Sequence, residues 1–282
     1  MEYLIKQVTF RAFSYEIDPD FVVDMQRCRE VLEGGWFDDP ETCRMNHKIV
    51  LRAKGTSWVN SVARTIISYS DLVGDTGGDA WLTQMRFHPN LRHPKLVFGF
   101  LENLKKEARK REFQRLFVFA DQQELCDDLS AIRIPIERQF QWISTNDVES
   151  DDQSKLVVNK SDFFFEGLSD FSMIPYMGPF LPPKLILSRS FMAASYGFIS
   201  HQKPIFLEIK SENNLYFACF DGREWFVFRK EKTPEDLKAI KNVISALGES
   251  RPSKILLSTK AIEKTGLIPC SEKRYTLFSL PI

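Results

Sequence analysis

Residues 80–121 read AWLTQMRFHPNLRHPKLVFGFLENLKKEARKREFQRLFVFAD, and the spacing of their apolar residues changes twice. Trp81, Thr83, Met85 and Phe87 alternate with Leu82, Gln84, Arg86 and His88, the period of two that gives a strand two different faces. Pro89 and Pro94 end that strand and bound a short polar loop, because proline donates no backbone hydrogen bond and fixes its own φ. From Lys95 the period becomes helical. Val97, Phe100, Leu101, Leu104 and Ala108 fall on one side, and Glu102, Lys105, Lys106, Lys110 and Arg111 on the other. Leu116 to Ala120 is a short apolar run, read as a buried strand parallel to the first. A helix that begins at a basic loop offers unpaired N–H groups and a partial positive charge to an anion. Arg92, His93 and Lys95 therefore form a candidate phosphate site, with a solvated turn as the alternative.

This strand–loop–helix–strand unit resembles the acyl-CoA-binding core of the Gcn5-related N-acetyltransferase (GNAT) superfamily. The resemblance implies that the strand carrying Met85 and Phe87 is splayed and pairs with pantetheine, and that Arg92, His93 and Lys95 hold the pyrophosphate. The family's loop reads Arg or Gln, two residues, Gly, one residue, Gly or Ala. Here Arg92 takes the first place, while Lys95 and Val97 stand where the glycines are usual. Glycine lets the backbone approach phosphates, so the loop is where this chain departs from the pattern. The co-substrate implied is an acyl-CoA or acyl carrier protein thioester, and the acceptor is an amine of a small molecule.

Composition narrows the classes. With 282 residues, 43% hydrophobic and 13% aromatic, the chain is long enough for two domains of ordinary size or one large one, with ample apolar content for a packed core. Lys+Arg and Asp+Glu both total 38, so no net field draws the protein to nucleic acid. Cys28, Cys43, Cys126, Cys219 and Cys270 are odd in number and lack a CxxC pair, which argues against a zinc site or disulfide framework. His47, His88, His93 and His201 show no metal-ligand spacing, so no metal is expected. MEYLIKQVTF alternates rather than forming a signal peptide, and no apolar run approaches the roughly 18 residues of a membrane span. A cytoplasmic location is the expectation.

Along the chain, Tyr3 to Ile17 reads as strand, Phe21 to Leu32 as helix, and His47 to Ala53 and Trp58 to Ser68 as strands joined by a turn at Lys54-Gly55-Thr56. Asp71 to Asp79 reads as a glycine-rich loop. This order is similar to the branch of GNAT-related enzymes containing acyl-homoserine lactone synthases and N-acyl amino acid synthases. The matching residues are Arg27 or Arg29 before Trp36, Val62-Ala63-Arg64, Thr83-Gln84-Met85-Arg86-Phe87, and a return strand within Ile132–Trp142 after a helix over Glu124–Ala131. Those synthases carry a carboxylate at the position of Thr83, and its absence argues against S-adenosylmethionine as acceptor.

Asn146 to Ser154 is acidic, polar and without large apolar groups, which makes it the expected linker between domains 1–150 and 151–282. Phe163 to Pro183 is aromatic and proline-rich and reads as irregular packing at the boundary, or as an acyl-chain tunnel. Beyond it come a helix over Leu185–Phe198, strands Ile205–Lys210, Leu215–Phe220 and Trp225–Arg229, a helix opened by Thr233-Pro234 and stopped at Gly248, a strand Lys254–Ser258, and a C-terminal segment, from Gly266 through Leu277, that resembles a closing GNAT hairpin. Lys230-Glu231-Lys232-Thr233 has no glycine, so this half reads as a degenerate structural copy. The fold expected is α/β (α+β), with two GNAT-like domains that are each a mixed, mostly antiparallel twisted sheet flanked by helices.

For chemistry, His88 sits at the strand end where a neutral imidazole could deprotonate an amine, or simply bond solvent. Arg64 and Arg86 lie on strands where an arginine meets a carboxylate or phosphate, with a structural ion pair as the alternative. Cys126 is flanked by Asp127 and Asp128, which raise a thiol pKa, so it is not expected to be a nucleophile. Two functions remain: an N-acyltransferase, or a non-catalytic tandem protein that binds a partner or ligand through the inherited groove.

Overall fold

A computed structural model describes residues 9–13, 32, 47–62, 65–74, 78–149, 156–160, 171–173, 186, 204–210, 214–220, 222–230 and 237–282. Contacts divide the chain into two compact units. One comprises Met1–Glu137, Phe180–Ser188 and Thr276–Ile282, and the other Arg138–Pro179 and Arg189–Tyr275.

In the first unit, β1 (Thr9–Phe13), α1 (residues 47–52), β2 (Thr56–Val62), β3 (Thr65–Gly74) and β4 (Asp79–Phe87) are followed by a 3-10 turn at Pro89–Leu91 and α2 (Pro94–Lys110). Then come β5 (Arg115–Ala120) and α3 (Gln123–Ala131), and the chain's last strand, β13 (Tyr275–Pro281), pairs with β5. The strand order is β1-β2-β3-β4-β5-β13, antiparallel throughout except that β4 and β5 run parallel. α2 buries Val97, Phe100, Leu101, Leu104 and Ala108, the five positions its spacing marks as apolar. They pack with Leu125 and Leu129 of α3 on Leu72, Ala80, Leu82, Met85, Phe87, Leu116 and Val118 of one sheet face.

The second unit holds β6 (Ile136–Ser144), β7 (Val157–Lys160), β8 (Phe171–Met173), β9 (Ile205–Lys210), β10 (Leu215–Phe220), β11 (Trp225–Lys230), α4 (Leu237–Ser250), β12 (Lys254–Ser258) and α5 (Thr259–Thr265). Its order is β6-β12-β11-β10-β9-β7, with β11 and β12 parallel. The core joins Val243, Ile244 and Leu247 of α4 to Ile209, Ala218, Val227, Ile255 and Leu257 of the sheet. Both units are thus mixed, mostly antiparallel sheets flanked by helices.

Several expectations change. The contact division does not follow a single cut at 150/151. The return strand β6 pairs with β12, from Lys254↔Ser144 to Ser258↔Phe140, and β13 pairs with β5, from Thr276↔Ala120 to Pro281↔Arg115. Each sheet takes one strand from the other half of the sequence, because a strand's own pattern does not name its partner edge. Residues 47–52 are helical rather than a strand: His47, Val50 and Ala53 are buried at intervals of three while Arg52 is exposed. The run Trp58–Ser68 is two strands, paired from Val62↔Thr65, and β3 continues through Asp71–Gly74 where a loop was expected. Phe171–Met173 is strand within the aromatic stretch otherwise read as irregular. Gly266 caps α5 with φ 67° and an N–H bond to the Ile262 carbonyl, so the C-terminal segment contributes a helix end and one strand rather than a hairpin. The helices expected over Phe21–Leu32 and Leu185–Phe198 lie outside the described residues apart from Leu32 and Ile186. Among the described residues no helix is long and apolar enough to cross a membrane.

Gly248 does not stop α4, which continues to Ser250. Its role is close approach. A Cβ there would lie 2.3 Å from the Thr145 carbonyl oxygen. Thr145 is pinned in turn, donating its N–H to the Ser253 carbonyl (2.9 Å) and accepting the Ser253 N–H on Oγ1 (3.0 Å). With neither side able to retreat, Gly248→Ala is expected to cost about 2–3 kcal/mol, read as a lowered denaturant midpoint at unchanged m. A neutral result would mean the Thr145 turn yields easily.

Candidate functional site

The site begins with the way β4 meets its two neighbours. Asp71↔Thr83 and Tyr69↔Arg86 are both in register across β3 and β4, so β4 carries one extra residue between them. Gln84 takes up that residue with φ 57°. The other non-glycine residues with positive φ, Lys54, Glu112 and Arg133, follow helix ends; among these four only Gln84 lies within a strand. A left-handed residue costs on the order of 1 kcal/mol and persists where surrounding structure holds it. Here Ser70 Oγ donates to the Thr83 carbonyl at 3.1 Å, fixing the start of the bulge.

On its other edge β4 pairs with β5 only over Asp79–Leu82, against Arg115–Val118. The register with β3 continues to Phe87, and that of β5 with β13 reaches Ala120. The two central strands therefore splay after Leu82 and Val118, which leaves a notch between Thr83–Phe87 and Phe119–Ala120. Across its open end Arg86 and Asp121 form a bidentate pair: Nη1 to Oδ1 at 3.0 Å and Nη2 to Oδ2 at 2.8 Å. The Arg86 side chain is 8% exposed and that of Asp121 33%.

The second unit has the same parallel pair but not the same opening. Phe228 and Arg229 of β11 pair with β10 on one edge and with Met173 and Ser172 of β8 on the other. A strand has two hydrogen-bonding edges, so β8 occupies the edge of β11 that faces β12 beyond the single Trp225↔Ile255 pair. The second notch is filled by the chain itself.

The face of the first sheet opposite α2 carries a polar row. Ser57 pairs across strands with Asp71, and Asp71 with Thr83; all three are buried. Ser57 Oγ donates to Asp71 Oδ1 at 2.6 Å, the Tyr69 hydroxyl donates to the same oxygen at 2.7 Å, and His47 Nδ1 lies 3.0 Å from Ser57 Oγ. With the Ser57 proton on Asp71, the His47 contact is made by an Nδ1–H donor, the tautomer that this arrangement of the network requires. Burial pushes the Asp71 carboxyl up to about 7, against lowering by its bonds to Ser57 and Tyr69. Burial also lowers His47 to about 4. Thr83 Oγ1 is buried without a hydrogen-bond partner among the described residues, beside Asp71 and one position before the bulge.

The expected site residues fall as follows. Arg64 lies outside the described residues. Met85 and Phe87 point into the α2 core, each 1% exposed, so only their backbone faces the notch. His88 Nδ1 accepts the Asn90 N–H at 3.2 Å, an exposed bond at the start of the 3-10 turn. His93 caps α2 by accepting the Lys95 N–H on Nδ1 at 3.2 Å. Arg92 pairs with Asp128 through Nε at 2.6 Å, and its guanidinium lies 5.7 Å from the Phe87 ring centroid. Lys95 is exposed, whereas Val97 is core. Burial raises the Cys126 thiol pKa, and Asp127 and Asp121 add to the rise, in the direction the sequence indicates. Asp71, Ser57 and Tyr69 had no sequence signal beyond a polar alternation within an apolar run.

The fold of the whole chain is similar to solved structures. A protein of Pyrococcus horikoshii assigned as an acetyltransferase aligns over 98% of this chain and 90% of its own, with TM-score 0.58 and 9% identity. A GCN5-related N-acetyltransferase of Anabaena variabilis aligns over 96% and 72%, with TM-score 0.57 and 10% identity. A tandem GNAT protein from the clavulanic acid biosynthesis pathway aligns over 97% and 98%, with TM-score 0.50 and 13% identity. No family model matches the chain, and no curated protein matches it by sequence. At these identities the likeness is one of architecture, and the chain has the fold of the GNAT acetyltransferases in tandem form.

Proposed function

We propose that the first unit transfers an acyl group from a pantetheine thioester, carried by CoA or an acyl carrier protein, to an amine of a small molecule. The observation that carries this reading is the notch: a strand bulged at Gln84 and splayed from β5 leaves backbone groups to grip an extended amide-bearing arm and an oxyanion. Asp71 supplies the base. The synthases that the sequence resembles hold a carboxylate at the position of Thr83, and here a carboxylate stands one strand away, paired across from Thr83. A carboxyl near neutrality suits proton abstraction at physiological pH. The amine nitrogen attacks the thioester carbon and a C–N bond forms. The C–S bond breaks, and the amine's proton is taken up by Asp71 and passed from there to the departing thiolate. Arg27, Arg29 and Trp36, on which the likeness to the lactone-synthase branch also rests, lie outside the described residues.

The second reading, a non-catalytic tandem protein, is favoured by β8, which fills the notch of the second unit and makes that half a structural copy. Thermal shift separates the two. A thioester at ~100 times its Kd adds about 2.7 kcal/mol, and release of thiol that depends on an added amine would establish transfer. No shift with acetyl or longer acyl thioesters would leave the non-catalytic reading standing.

A further inference from the structure

The donor's nucleotide end has its own consequences, given the transfer proposed above. In a helix that holds a diphosphate, the N–H groups of the first turn point at the anion. In α2 they are already used. Pro94 has no N–H; Lys95 N–H goes to His93 Nδ1 at 3.2 Å; Leu96 and Val97 N–H go to the His93 carbonyl at 2.8 and 3.1 Å. His93 thus closes the helix end on itself from both its side chain and its backbone. The cation of the turn is committed as well, since Arg92 is paired with Asp128. Arg86 of β4 is likewise paired, with Asp121, so each of these two arginines meets a carboxylate and neither pair offers a diphosphate net positive charge. Lys95 is the remaining cation of the turn, and it is exposed, where a single ammonium contributes little after screening.

We infer that the notch recognises its donor through the pantetheine arm alone, with no contribution from the nucleotide diphosphate. The chemical class is a pantetheine thioester whose far end is held elsewhere or not at all, whether that end is a nucleotide or a carrier protein. His93 is the specificity-determining residue, because it takes the place a phosphate oxygen would have.

Calorimetry on the full chain tests this with three probes: pantetheine, CoA and adenosine 3′,5′-bisphosphate. The expected result is that pantetheine and CoA bind within about 3-fold of one another and that the bisphosphate neither binds nor displaces pantetheine. Charge-assisted bonds to a bound diphosphate would instead favour CoA by about 100-fold or more, and that result, or competition by the bisphosphate, would overturn the inference. Absence of binding by both pantetheine and CoA would remove the transferase reading itself, and this inference with it. His93→Gly releases the Lys95 N–H and gives a second readout: the CoA-to-pantetheine affinity ratio is expected to rise about 10-fold, and an unchanged ratio with the variant folded would deny His93 the role.

Discussion

Asp71→Asn is expected to slow acyl transfer by about 10²–10⁴-fold, the range over which a positioned base contributes. The substitution is close to a pure removal of the proton acceptor. Asparagine keeps an amide oxygen for the bonds that Ser57 and Tyr69 donate, at nearly the same volume. A purely structural Asp71 would leave turnover within a few-fold, so the size of the loss decides between the two roles. The same variant has a signature in stability. Burial pushes the folded carboxyl up to about 7 from its ordinary 3.8. Between those values the native state holds a proton that the unfolded chain has released, so this group's contribution is fully present below about pH 4 and falls as pH rises toward 7. The whole effect is on the order of 4 kcal/mol. His47 acts in the opposite sense. Lowered to about 4 from 6.5, it is held neutral in the native state, and its contribution is present above pH 6.5 and lost as pH falls through 4. From pH 4 to 6.5 the two slopes oppose one another. Asp71→Asn should therefore unmask stability that rises with pH in this window, and His47→Gln stability that falls, both read from denaturant midpoints at a series of pH values. Parallel profiles for wild type and both variants would mean that neither group is shifted.

Asp121→Ala should destabilise the first unit by about 3 kcal/mol, because it leaves the Arg86 guanidinium desolvated on one side of the notch without its carboxylate. The figure sits at the lower end for a broken buried pair, since Asp121 is a third exposed and water can enter in its place. The double variant Arg86→Met with Asp121→Leu should recover most of the loss, because apolar groups carry no desolvation penalty and the coupling belongs to the pair. A loss under about 0.5 kcal/mol in Asp121→Ala would reassign the pair to the class of solvated surface bridges.

The fold was legible where local periodicity and local chemistry agree. α2 could be read residue by residue because five apolar positions at helical spacing have only one way to face a sheet. β9, β10, β11 and β12 followed from short apolar runs with turn residues between them. What the sequence could not reveal depends on partners far along the chain. Nothing local in Ile136–Ser144 says that it pairs with Lys254–Ser258, nor in Phe171–Met173 that it enters the notch beside β11. The same limit applies to the site. Arg86, Arg92, His88 and His93 were visible as polar residues in or near an apolar frame, but Asp121 and Asp128, which commit the two arginines, lie 35 and 36 residues onward. Asp71 was hidden differently. It stands in what reads as a loop, Asp71 to Asp79, and only the register with Ser57 and Thr83 shows it to be buried between two strands.

The central claim is that the thioester arm lies in the notch of the first unit. Backbone amide shifts on addition of S-acetylpantetheine test it most directly. The account predicts perturbations confined to Thr83–Phe87 and Phe119–Asp121, with Trp225–Lys230 undisturbed behind β8. Shifts that leave β4 unmoved, or that appear along β11 instead, would contradict it.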